Sequence, residues 1–145
     1  MNVNDLLKAK NRDTVTISPD NTVAEAMQKI IDNKIGALPV IVGDELQGIV
    51  SERDMFRAIY EKREAGLSVK IEDIVTQDIV IGFPGDDVDN VLVLMTNNRF
   101  RHLPIMDNKK LIGIVSIGDI VAAKTAKLKV ENHYLKDYIT GKYPG

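Results

Sequence analysis

Two stretches decide the reading of this chain: Leu46-Gln47-Gly48-Ile49-Val50-Ser51-Glu52-Arg53-Asp54 and Leu111-Ile112-Gly113-Ile114-Val115-Ser116-Ile117-Gly118-Asp119. Both spell Leu-x-Gly-Ile-Val-Ser-x-x-Asp, and they lie 65 residues apart. Working outward at that offset, Asp13 to Ala58 aligns with Asp78 to Ala123 without a gap. Asp13 falls on Asp78, Val15 on Val80, Pro19 on Pro84, Val23 on Val88, Asn33 on Asn98 and Leu38-Pro39 on Leu103-Pro104. Self-similarity at a fixed period marks a duplicated structural unit.

Each unit reads as β-α-β-β-α, which makes the fold class α/β in the mixed α+β sense. A β-branched run, Thr14 to Ile17 or Ile79 to Ile81, ends in a proline turn, Ser18-Pro19-Asp20-Asn21 or Phe83-Pro84-Gly85-Asp86, the chemistry of a strand followed by a turn. Val23, Ala26, Met27, Ile30 and Ile31 then form a helical stripe, with Thr22 and Glu25 at capping-box spacing; Val88, Val91, Leu92 and Met95 repeat the stripe. Two strand candidates follow in each unit, Ala37 to Val42 with Leu46 to Ser51, and His102 to Met106 with Leu111 to Ser116. Their nearly continuous apolar character suits strands covered on both faces. A second helix starts after Ser51 and after Ser116.

Outside the repeat, Val3, Leu6 and Leu7 predict a short leading helix, and Glu61 to Thr76 reads as an ordered connector. The tail from Ile120 to Tyr138 reads as a long helix with an intermittent apolar stripe, packed on its own unit or against a second copy. The units divide as residues 1–66, with the leading helix, and 67–145, with the tail.

Composition narrows the chemistry. The chain has 145 residues, 44% of them hydrophobic, enough for one compact domain with its own core. With 19 Lys plus Arg against 21 Asp plus Glu, the formal charge is -2, which gives no support to binding a run of phosphates. Aromatic residues make up 5% and Trp is absent, so a base-stacking surface is not expected either. There is no cysteine and there are two histidines, His102 and His133, which removes disulfides, thiolate zinc sites and cysteine nucleophiles. The N-terminus lacks the basic start and apolar run of a signal peptide, and no apolar stretch approaches the roughly 18 residues that span a bilayer. These features predict a cytoplasmic protein with neither nucleic acid nor membrane as partner.

The Ser-x-x-Asp step supports two readings. At a strand-to-helix junction the first helical N–H groups lack partners, so a hydroxyl and a carboxylate there can receive a polar ligand, and a carboxylate accepts well from the two neighbouring hydroxyls of a ribose. Ser-x-x-Asp is also close to a capping box, in which Ser51 with Asp54, and Ser116 with Asp119, satisfy each other's backbone donors.

The sequence resembles a tandem pair of cystathionine-β-synthase (CBS) domains, the Bateman module, over about residues 13 to 124. The residues that carry the resemblance are Ile35 to Val40 (Ile-Gly-Ala-Leu-Pro-Val) and Phe100 to Ile105 (Phe-Arg-His-Leu-Pro-Ile), each followed by Leu-x-Gly-Ile-Val-Ser-x-x-Asp. The resemblance implies two pseudo-twofold-related units packed sheet to sheet. It implies two clefts for adenosine-containing ligands, AMP, ADP, ATP, NAD(H) or S-adenosylmethionine. Ser51 and Asp54 would take the ribose in one cleft and Ser116 and Asp119 in the other. Adenine would lie against Thr16, Ile17 and Ile81 and the backbone near Gly36, Ala37, Leu103 and Pro104. Phosphate would reach Arg101 and His102, with Arg53 behind them, and Lys10 and Arg12 are either further charge for it or solvated. Gly82, where the first unit has Ile17, either opens room near the second cleft or marks a bulge.

The expected function is therefore a regulatory module that binds an adenine nucleotide, most simply AMP, and signals to an unidentified protein target, with a homodimer as the assembly. No catalytic cofactor is expected. An enzyme is disfavoured by the missing thiol, the single histidine near the site and the lack of a general-base pair of side chains, a metal cluster or a phosphate loop. The competing reading is a structural dimer whose Ser-x-x-Asp pairs only cap helices.

Overall fold

The computed structural model describes residues 1–126. The elements are α1 (Val3–Lys10), α2 (Val23–Asn33), β1 (Ala37–Val42), β2 (Glu45–Ser51), α3 (Glu52–Lys62), α4 (Val88–Asn98), β3 (His102–Asp107), β4 (Lys110–Ser116) and α5 (Ile117–Thr125). Two 3-10 turns, Arg63–Ser68 and Ile71–Asp73, make up most of the connector. The expected long tail helix is described only through α5; the remainder lies outside the described residues.

The repeat is reproduced in three dimensions. β1 and β2 form one antiparallel hairpin and β3 and β4 another, with Leu38 opposite Val50 and Leu103 opposite Val115. Both hairpins carry an irregularity at the same place, Val40/Ile41 and Ile105/Met106. Their turns need positive φ, supplied by Gly43 in the first and by Asn108 and Lys109 in the second. Thr22 and Glu25 form the expected capping box at α2, the Glu25 N–H donating to Thr22 Oγ1 (3.2 Å) and the Thr22 N–H to Glu25 Oε1 (3.0 Å). The helical stripes bury Val23, Ala26 and Ile30 on α2 and Val88, Val91 and Met95 on α4.

The predicted first strands are not strands. Each is reduced to one parallel bridge, Ile17 to Val40 and Gly82 to Ile105. Proline explains the limit. The Ile17 N–H donates to the Pro39 carbonyl and the Ile41 N–H donates to Ile17. Extending this parallel ladder in one direction needs an N–H from Pro39, and in the other an N–H from Pro19; neither exists. In the second unit the Gly82 N–H donates to Pro104 and the Met106 N–H to Gly82, and Pro104 and Pro84 stop the ladder in the same way.

Each unit has its own core, and each core borrows from the segment that precedes the other unit's first turn. The first gathers Ile17, Ile30, Leu38, Val40, Val50, Met55 and, from the connector, Ile71. The second gathers Val91, Met95, Leu103, Ile105, Val115, Ile120 and, from α1, Val3 and Leu6. The docking is equivalent in detail. The Ile71 N–H donates to Asn21 and the Glu72 N–H to Pro19, whereas the Val3 N–H donates to Asp86 and the Asn4 N–H to Pro84. The leading helix thus packs on the second unit and the connector on the first, while β2 and β4 meet across the pseudo-twofold. At Gly82 the extra room is already filled: a Cβ there would lie 2.7 Å from Leu103 Cδ2 and 3.0 Å from Ile105 Cδ1.

Candidate functional site: the cleft between the units

Ser51 and Ser116 end strands and start helices, so both Asp residues stand one turn into a helix with the serine behind them. In the second unit the Ser116 N–H donates to Asp119 Oδ2 (2.9 Å) and the Asp119 N–H donates to Ser116 Oγ (3.0 Å). In the first, the Ser51 N–H (2.8 Å) and hydroxyl (3.1 Å) both donate to Asp54 Oδ2. The capping geometry is therefore real in both copies. It occupies one carboxylate oxygen of each; Oδ1 of Asp54 and of Asp119 accepts no hydrogen bond from any described residue. Capping and ligand binding do not exclude each other here.

The two copies differ in what else reaches the carboxylate. Lys10, at the last turn of α1, donates from Nζ to Asp119 Oδ2 (2.9 Å) and to the Ile114 carbonyl (2.9 Å). Both side chains are about four-fifths buried, at 21% and 23% exposure, so the pair is shielded more than a surface ion pair. Burial pushes the Asp119 carboxyl upward, but the hydrogen bonds and charge of Lys10 and the Ser116 N–H outweigh it and hold the group below its ordinary value. Among the described residues no cation stands within 4.0 Å of Asp54.

Lys10 also lines a cleft between the units, together with Leu7, Arg12, Asp13, Thr14, Val15, Ile35, Ala37 and the β4 backbone from Ile112 to Ile114. The cleft as it stands has room for only about 60 Å³, well short of the roughly 300–1,000 Å³ of small-molecule sites. Arg12 is anchored on its rim, donating to the Asn33 carbonyl at the C-terminal end of α2 (2.7 Å).

The remaining predicted residues divide. His102 is half-buried and lies across the pseudo-twofold against Gly36: a Cβ at Gly36 would stand 3.1 Å from His102 Nε2 and 2.8 Å from Glu52 Oε1. Burial lowers the His102 pKa, Asp119 raises it, and Lys10 and Arg101 lower it further. The net direction leaves a neutral imidazole at pH 7. Arg101 is exposed beside it, and Arg53 is exposed at the start of α3. Ala37 is buried on the cleft wall. Gly36 is half-buried and its carbonyl accepts from the Glu52 N–H (3.1 Å). Thr16 accepts Lys29 Nζ on its carbonyl (2.7 Å), and Ile81 is 39% exposed.

The side chains of Ile17 and Leu103 are 3% and 0% exposed and belong to the two cores, the bridge that holds Ile17 against Val40 turning its side chain inward, so these positions have only backbone to offer a ligand. Pro104 is buried as well, its carbonyl accepting from Gly82. Glu52, set against Gly36, and Thr14 and Ile35, on the cleft wall, are not marked as site residues by the sequence, where Thr14 falls in a run that reads as strand and Ile35 in a motif that carries the family resemblance; they reach the site through the packing of one unit on the other.

A protein-family model described as CBS domain matches residues 3–61 and again 71–125. The chain is a tandem pair of CBS domains. The two matches start at Val3 and Ile71, the two fully buried residues through which α1 and the connector dock in equivalent ways. This CBS pair is 34% identical over 150 residues to the mitochondrial CBS domain-containing protein CBSX3 of Arabidopsis thaliana, a match covering 97% of this chain and 73% of that protein. A crystal structure of a CBS-domain containing protein from Agrobacterium tumefaciens superposes with a TM-score of 0.81 at 37% identity, covering 86% of this chain and 99% of that one. The CBS domain pair of protein MJ0100, solved in complex with 5-methylthioadenosine and S-adenosyl-L-methionine, shares the fold with a TM-score of 0.77 at 24% identity, covering 88% and 98% of the two chains. Inosine-5'-monophosphate dehydrogenase of Methanocaldococcus jannaschii is 38% identical over 112 residues, 76% of this chain but 21% of that enzyme, so the likeness is confined to a small part of the dehydrogenase. No helix among the described residues is long and apolar enough to cross a membrane.

Proposed function

We propose that this CBS pair is a sensor: it binds an adenosine-containing ligand, AMP, ADP, ATP or NAD(H), between its units and passes the ligand state to a protein partner through the packing of the two units. The observation that carries this reading is the pair of half-used carboxylates. Asp54 and Asp119 are each fixed by a serine through one oxygen and keep the other open, at the start of a helix whose dipole favours polar ligands. A ribose offers two adjacent hydroxyl donors, which such an oxygen accepts. Arg101 and the His102 N–H are the groups proposed to meet a phosphate. The complex of the MJ0100 pair with two adenosine compounds adds support to the ligand class.

The first partner proposed is a second copy of the chain. Phe56 and Tyr60 on α3 are 67% and 72% exposed, and Val121, the repeat equivalent of Phe56, is 47% exposed on α5. Apolar groups in equivalent places on both units suit a symmetric contact. A thermal-melting panel with AMP, ADP, ATP, NAD and S-adenosylmethionine tests the reading. A ligand at about a hundred times its Kd adds about 2.7 kcal/mol, several degrees for a chain of this size. A panel that leaves the melting temperature unmoved overturns it.

A further inference from the structure

We propose that Lys10 is the residue that sorts ligands between the two clefts by charge: phosphorylated nucleosides go to the Asp119 side, and uncharged or cationic ones to the Asp54 side. The inference rests on the sensor reading above and adds what each cleft selects. Lys10 Nζ spends two of its three donors on Asp119 and the Ile114 carbonyl, and its side chain lines the cleft. Lys10 therefore keeps one donor at the cleft, next to a carboxylate whose charge it offsets. With Lys10 in place the ribose-binding group carries no net charge, so a phosphate is not repelled by the carboxylate that holds its sugar. Around this site Lys10, Arg12 and Arg101 match Asp13, Asp119 and, beside the facing Gly36, Glu52 in number, and Lys10 is the cation placed on the Asp119 carboxylate itself.

The Asp54 side is built the other way. Its carboxylate is held by the uncharged Ser51 N–H and hydroxyl alone. The connector segment that docks where α1 docks in the other unit, Ile71 to Gly82, contains no Lys, Arg or His, whereas Val3 to Arg12 contains Lys8, Lys10 and Arg12. In the groove beside Asp54, Arg57 and Lys62 face Asp54, Glu61 and Asp73, an acidic balance. The asymmetry is specific to the charge, because the serine, the aspartate and their backbone frame are repeated.

The test is calorimetric titration of the full chain and its Lys10→Met and Lys10→Arg variants with AMP and, separately, with 5-methylthioadenosine, each variant's fold being checked by its melting curve. Met keeps the apolar stem of Lys10 and removes the charge. The expected result is an AMP affinity lowered roughly tenfold by Lys10→Met, a methylthioadenosine affinity changed by less than about threefold, and recovery of AMP binding in Lys10→Arg. Equal losses for both ligands would make Lys10 a packing residue only and overturn the proposal, as would unchanged AMP binding. If neither ligand binds the unaltered chain, the sensor reading itself has failed. If both bind and Lys10→Met shows no charge preference, that reading stands and the role of Lys10 falls.

Discussion

Asp54 and Asp119 hold the same place in the repeat and sit in different electrostatic surroundings, and His102 reports that difference. Its imidazole is half-buried near Asp119, Lys10 and Arg101, with Glu52 set beside the facing Gly36. Burial, first, and the two cations hold its pKa below the ordinary 6.5 against the pull of Asp119. The unfolded chain therefore binds a proton at a higher pH than the folded one, so folded stability rises with pH through this window and is lost as pH falls below about 6.5. We expect an NMR titration midpoint for His102 below 6.5, and a stability profile that His102→Asn flattens between that value and 6.5; a midpoint at or above 6.5 would contradict the placement. Asp119 adds stability of the same direction at lower pH, present above its ordinary 3.8 and lost as pH falls through its lower folded value. The sequence alone showed the Ser-x-x-Asp steps and His102. It could not show that Lys10 belongs to Asp119, because that pairing depends on α1 docking across the chain onto the second unit.

Helices and hairpins follow local rules closely, and the departures have local causes. The capping box at Thr22, the apolar stripes and the hairpin boundaries were legible because each depends on neighbours in sequence. The first strands were misread: β-branched runs suggest a ladder, but the prolines that prevent it sit on both partners, and one of those partners is known only once the pairing is known. Two glycines show how elements meet. A Cβ at Gly48 would overlap the Thr76 carbonyl oxygen, which is itself held by the Ile49 N–H, whereas at Gly113 it would meet the tip of Leu7 at 2.7 Å. A backbone carbonyl cannot turn aside and a leucine side chain can. Gly48→Ala should therefore cost about 1–3 kcal/mol and Gly113→Ala under about 1 kcal/mol, as read from denaturant midpoints. Equal costs would show that α1 and the connector dock with equal rigidity.

Across the whole molecule, duplication made the architecture readable and concealed the exchange of parts. An offset of 65 residues was enough to find two units. That the N-terminal helix completes the second core, through Val3 and Leu6, required the fold, since those residues lie far in sequence from everything they touch. The exchange brings parts of both units to one cleft: Lys10 of α1, which is bonded to Asp119, lines it together with Ala37 of β1 and the β4 backbone. The most direct measurement is the stoichiometry and affinity of AMP by titration calorimetry on the unaltered chain, Asp54→Ala and Asp119→Ala, with melting curves confirming that each variant folds. Losing the carboxylate half of a cap costs about 1 kcal/mol in Asp54→Ala, and Asp119→Ala costs more because it also leaves the shielded Lys10 ammonium without its partner. The account predicts binding to the unaltered chain, with the larger loss of AMP affinity in Asp119→Ala; binding unchanged in both folded variants, or no binding to the unaltered chain, would contradict it.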